Sequence, residues 1–113
     1  MIPVALILGA GLLVMLRLSP FWKDVVNFAK KTIKKLKAVI KGTLEGCLIV
    51  LKRLQGRVVQ KRQLNYERTE AGTYKEIVVT EEMLEDEVDE KYKARLASEF
   101  EVDISDDLEM QLA

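Results

Sequence analysis

Residues 43–62 read TLEGCLIVLKRLQGRVVQKR, and whether they form strands or a helix decides the fold class. Leu48-Ile49-Val50-Leu51 is apolar on every face. Such a run is a buried strand or a buried helical segment, because periodicity alone does not separate the two. A strand at 47–53 that turns at Gln55-Gly56 is one reading. The other follows from a longer pattern. Val26, Ala29, Ile33, Leu36, Ile40, Thr43, Cys47, Val50 and Leu54 recur in alternating steps of three and four. That is the period of a helix seam, with Thr43 as its one polar member. Ser19 is a suitable N-cap and Pro20 a suitable first helical residue, so the long helix starts there. Gly42 and Gly46 cost about 2 kcal/mol of helix propensity relative to alanine. They mark a break between helices 20–41 and 43–62, or a smooth face where another helix approaches closely. The helical reading predicts a mainly α chain, with residues 23–62 as a basic amphipathic segment and a possible break at 42–46.

Upstream of this segment the chain carries no ionisable side chain from Met1 to Leu16. Extended through Arg17, Leu18, Phe21 and Trp22, the apolar stretch would form a helix about 33 Å long, enough to cross a bilayer. A cleavable secretory signal is a poorer fit, because no basic region precedes Ile2 and no small-residue cleavage site follows Met15. Residues 1–22 are therefore expected to be a single transmembrane anchor. Arg17, Phe21, Trp22, Lys23, Lys30 and Lys34 are then the expected membrane-interface residues, aromatic at the belt and cationic at the headgroups. No side-chain cation precedes the apolar stretch and all of them follow Leu16, which predicts an external N-terminus and a cytosolic C-terminus.

The charges are sorted along the chain. Residues 1–63 hold 13 Lys/Arg against Asp24 and Glu45, a net of +11, and residues 64–113 hold five against 16 acids, a net of −11. The formal total over 113 residues is zero. Lys30, Lys31, Lys34, Lys35, Lys37 and Lys41 flank the apolar stripe. A lysine face beside such a stripe suits anionic headgroups or a coiled-coil seam, and equally the solvated side of an ordinary bundle helix. Nucleic acid is disfavoured, since no aromatic interleaves the lysines as a stacking platform. Val26, Ala29, Ile33, Leu36, Ile40, Cys47, Val50 and Leu54 are the expected self-association residues.

Residues 63–99 read as a β-hairpin followed by a helix. Gln63–Thr69 and Thr73–Thr80 are rich in strand-forming residues and are separated by Glu70-Ala71-Gly72. Thr80 resembles an N-cap, with Glu81 and Glu82 in the first turn. Met83, Leu84, Val88, Tyr92 and Leu96 follow at helical spacing. Residues 100–113 form an acidic tail in which Val102, Ile104, Leu108 and Leu112 are the expected partner-binding positions.

No pattern of catalysis stands out. Histidine is absent and Cys47 is the one cysteine, which removes the commonest general base and any intrachain disulfide. Glu85, Asp86, Glu87, Asp89 and Glu90 lack the glycine and terminal glutamate spacing of an EF-hand loop, so a solvated helix face is expected. No catalytic residue, metal ligand, cofactor or small-molecule substrate is expected. Together these features predict a non-enzymatic, single-pass membrane adaptor or assembly protein. Its expected partners are a lipid bilayer with anionic headgroups and further copies of itself or a larger complex. Alternatives are a structural subunit of a membrane-containing assembly, such as a virion or an envelope machine, and a small membrane-active effector.

Overall fold

Ser19 and Pro20 do start a helix. A computed structural model describes residues 18–112, and its first element is α1 (Pro20–Val39). Ser19 Oγ accepts from the Trp22 N–H at 3.3 Å, meeting one of the donors that a helix start leaves open. The helix stops at Ile40, whose backbone is extended and whose N–H donates to Leu36 O. Gly42 then passes so close to the end of the sheet that a Cβ on it would lie 2.1 Å from Arg68 O. Only glycine fits there.

Residues 43–62 are strands. β1 (Thr43–Arg53), β2 (Val58–Arg68) and β3 (Tyr74–Leu84) pair antiparallel in sequence order, and β4 (Glu101–Asp103) adds to the far side of β1. The sheet order is β3-β2-β1-β4. Strand and helix contribute about equally, so the expectation of a mainly α chain is overturned. The physical reason lies in Leu48–Leu51. β1 is an interior strand, bonded on both edges. Cys47, Ile49 and Leu51 are fully buried on one face, and Leu48 and Val50 are half-buried on the other. A run that is apolar on all sides matches such a strand. The turn from β1 to β2 uses positive φ at Gly56 (74°) and Arg57 (61°).

The β2–β3 hairpin runs further at both ends than residues 63–80. Its loop, Glu70–Gly72, ends on Gly72 at φ 82°, and Thr69 and Thr73 close it with a 2.8 Å backbone bond. Glu81–Leu84 belong to β3, not to a helix. A 3₁₀ turn (Glu85–Glu87) follows, and only then α2 (Glu90–Leu96), whose N-cap is Asp89, accepting from Lys91 N–H at 3.1 Å. Chain order ends with β4 and α3 (Ser105–Leu112).

The core lies between α1 and one face of the sheet. Phe21, Trp22, Val25, Val26, Ala29 and Ile33 meet Cys47, Ile49, Leu51 and Val59, and α2, β4 and α3 close the end with Tyr92, Leu96, Val102, Ile104 and Leu108. The three-four stripe of α1 is therefore matched by a sheet rather than by a second helix. Phe21 and Trp22 are 5% and 4% exposed and stack edge-on with each other, 5.2 Å between centroids.

Among the described residues no helix is long and apolar enough to cross a membrane. The expected single-pass anchor, its topology and the membrane adaptor built on it are not supported. The greater part of the proposed span, residues 1–17, lies outside the described residues. At its described end, Leu18, Phe21 and Trp22 pack into the domain core and not toward headgroups.

Candidate interaction surface

The central strand presents polar side chains to the helix. Lys61, Gln63, Asn65 and Glu67, on alternate positions of β2, are all buried beneath α1. Each has a reason to be tolerated there. Lys61 Nζ binds Asp24 of α1 and, at 2.8 Å, Glu81 Oε1 of β3, and it sits 5.1 Å from the centre of the Phe28 ring. Glu81 Oε2 also binds Lys31 Nζ at 2.9 Å. These lysines hold the Glu81 carboxyl below the ordinary carboxylate range, the Lys61 hydrogen bond contributing most. Asn65 Nδ2 donates to Gln63 O and Ile77 O, and Glu67 accepts from the Gly42 N–H at 3.0 Å. Gln63 Nε2 donates to Asn65 Oδ1, but Gln63 Oε1 has no hydrogen-bond partner among the described residues.

This network ties α1 to β2 and β3, and among the described residues the outer side of β3 is open. The direction of every backbone group on β3 follows from two bonds. Glu85 N–H donates to Arg57 O beyond one end of the β2–β3 ladder, and Thr69 N–H donates to Thr73 O beyond the other. Both pairs fit the register Lys61↔Glu81 and Gln63↔Val79. Antiparallel ladders alternate bonded and non-bonded pairs. Lys75, Ile77, Val79, Glu81 and Met83 therefore bond to β2. Tyr74, Glu76, Val78, Thr80, Glu82 and Leu84 point their N–H and C=O groups away from the sheet. Among the described residues no strand lies beyond β3.

The same six residues carry their side chains on the face opposite α1, and all six are exposed. Three are large and apolar: Tyr74 at 68%, Val78 at 41% and Leu84 at 59% exposure. Val78 continues a row of aliphatics across three strands, with Leu64 and Leu48. On the α1 side, a cleft of about 670 Å³ separates the helix end from β3, lined by Leu36, Val39, Ile40, Ile77 and Val78 together with Lys41, Glu67, Thr69, Lys75 and Glu76. A strand added to β3 would meet mixed apolar and charged surface on both of its faces.

Other candidate chemistry is weaker. A cleft of about 510 Å³ at the start of α1 is lined by Phe21, Met83 and Val88 with Asp24, Asp86 and Asp89. Among the described residues, no three or more His, Cys, Asp or Glu side chains are grouped to hold a metal ion. Burial pushes the Cys47 thiol up to about 12, far from a reactive thiolate at neutral pH.

The residues singled out in the sequence are scattered. Phe21 and Trp22 are in the core, Lys23 and Lys30 are half-buried, Lys34 is exposed, and Arg17 lies outside the described residues. Val26, Ala29, Ile33, Leu36 and Cys47 face the interior of the domain, while Ile40, Val50 and Leu54 are half-buried. Val102, Ile104 and Leu108 are buried parts of the core, and Leu112 ends α3. The open edge of β3 carries no clear signal in the sequence, because its outward set (Tyr74, Glu76, Val78, Thr80, Glu82) and its inward set (Lys75, Ile77, Val79, Glu81, Met83) both mix polar and apolar residues. The +11 and −11 halves meet within one chain, through Lys31–Glu81, Lys61–Glu81 and Arg62–Glu101.

Comparison with protein-family models, curated proteins and solved structures finds no match to this chain.

Proposed function

We propose that this domain is a non-enzymatic interaction module that receives an extended strand of a protein partner along β3. One observation carries this: six alternate residues, Tyr74 to Leu84, direct their backbone donors and acceptors outward on an edge strand of 11 residues. A long edge of this kind is a template for pairing. Main-chain bonds then supply affinity, and pockets for alternate side chains supply selectivity. Here one set of partner side chains would enter the cleft beside Ile77, and the other would lie against Tyr74 and Val78.

Substitution with proline separates this function from folding. The Val78 N–H makes no bond to β2, and proline is tolerated on an edge strand when its N–H side faces solvent. Affinity purification of the full chain should recover a bound protein that Val78→Pro loses while keeping its circular dichroism. Recovery of the same protein with Val78→Pro would contradict the proposal.

A further inference from the structure

Strand β3 is complementary to itself about Val78. A two-fold axis perpendicular to the sheet places two β3 strands antiparallel, with α1 of both copies on one face. Opposed side chains must then share a face, so odd residues meet odd and even meet even. With the axis at Val78, Ile77 opposes Val79, Lys75 opposes Glu81, Glu76 opposes Thr80 and Tyr74 opposes Glu82. Over Tyr74–Glu82, charges meet opposite or neutral partners and aliphatics meet aliphatics; Met83 and Leu84 lie past the paired stretch, opposite Thr73 and Gly72. An axis at Val79 sets Glu76 against Glu82. At Thr80 it sets Val78 against Glu82 and Val79 against Glu81, and at Ile77 it sets Lys75 against Val79 and Glu76 against Val78. Only the Val78 register satisfies both charge and apolar contacts, and like charges directly opposed are destabilising.

The backbone agrees. Val78, Glu76 and Thr80 are outward-pointing positions, so Val78 meets its copy as a bonded pair that exchanges both N–H···O bonds. The helices have room. β2 of one copy and β2 of the other would lie three strand spacings apart, about 14 Å. Helices in contact need only about 8–10 Å.

We infer that two copies of this chain pair through their β3 strands in this register, joining two four-stranded sheets into one of eight. This rests on the strand-accepting function proposed above and names its partner as a second copy.

Sedimentation of the full chain over a concentration series, with cysteine cross-linking, tests it. A monomer–dimer equilibrium is expected, and Val78→Cys should give a covalent dimer under mild oxidation, because bonded pairs hold Cα atoms about 5.5 Å apart, within disulfide reach. Glu76→Cys and Thr80→Cys should cross-link when mixed but not separately. Native Cys47 is buried and does not compete. Lys75→Glu, at an exposed position, should raise the dimer dissociation constant about tenfold at low salt. A dimer unchanged by Lys75→Glu, or Thr80→Cys linking to itself, would overturn the register and the inference with it. A monomer at every concentration would overturn self-pairing, yet a bound protein that Val78→Pro releases would still support the strand-accepting edge.

Discussion

Lys61 Nζ lies 2.8 Å from Glu81 Oε1, joining the central strand to the edge strand beneath the helix. The same ammonium binds Asp24, so α1, β2 and β3 meet at one buried cation. The lysine side chain is 1% exposed, whereas Asp24 and Glu81 are 45% and 35% exposed. The asymmetry has a consequence. The carboxylates stay hydrated without the lysine, but the lysine depends on the carboxylates.

Lys61→Met should therefore change the unfolding free energy by less than about 1 kcal/mol, since an apolar side chain of similar volume often replaces a buried ion without loss. Asp24→Asn with Glu81→Gln leaves the ammonium buried and unpaired, and should cost about 3 kcal/mol or more. Urea unfolding of the two variants measures the contrast. Equal losses would contradict the assignment of Lys61 as the dependent partner.

The acid side of the stability curve follows from two carboxyls. Hydrogen bonds from Lys61 and Lys31 lower the Glu81 pKa, and the Tyr92 hydroxyl, with Lys91, lowers that of Asp107. A depressed folded value gives stability that is present above the unfolded value and lost as pH falls through the folded one. Stability should thus hold near neutrality and decline below the ordinary values of 4.5 for Glu81 and 3.8 for Asp107. Combining Glu81→Gln with Asp107→Asn should flatten that decline in unfolding titrations carried into acid.

Two glycines separate crowding from backbone strain. At Gly42 an added Cβ meets a backbone carbonyl oxygen that has no freedom to retreat. Gly42→Ala should cost about 2–3 kcal/mol. Gly56 has open space but φ of +74°, so Gly56→Ala should cost only about 1 kcal/mol. Thermal unfolding ranks them, and the reverse order would contradict the close approach at Gly42.

Much of the helix was legible and much of the sheet was not. Ser19-Pro20 marks the start of α1 through ordinary capping chemistry. The three-four stripe is real, but a helix on a sheet and a helix in a seam share that period, so the stripe did not name its partner. β2 was expected only from Gln63 on, and which of its faces is buried was hidden for a different reason. Beyond Val59 its interior face is Lys61, Gln63, Asn65 and Glu67, while its outer face carries Leu64 and Tyr66 beside Gln60 and Arg62. The usual alternation is inverted, and only the hydrogen bonds and the Lys61 ion pairs make that inversion stable. Met83, Val88, Tyr92 and Leu96 simulate one helix because a strand end, a turn and a short helix each deliver an apolar side chain to the core. In the acidic tail, Val102, Ile104 and Leu108 are core residues, while Glu101, Asp103 and Asp106 beside them face water.

The open edge of β3 is measured most directly by amide hydrogen exchange, resolved by residue, on dilute full-length protein. The account predicts alternation: slow exchange at Lys75, Ile77, Val79 and Glu81, which bond to β2, and fast exchange at Glu76, Val78, Thr80 and Glu82. Uniformly slow exchange along β3 in the monomer would mean that another part of the chain already covers the edge, and the proposed strand-accepting surface would not exist.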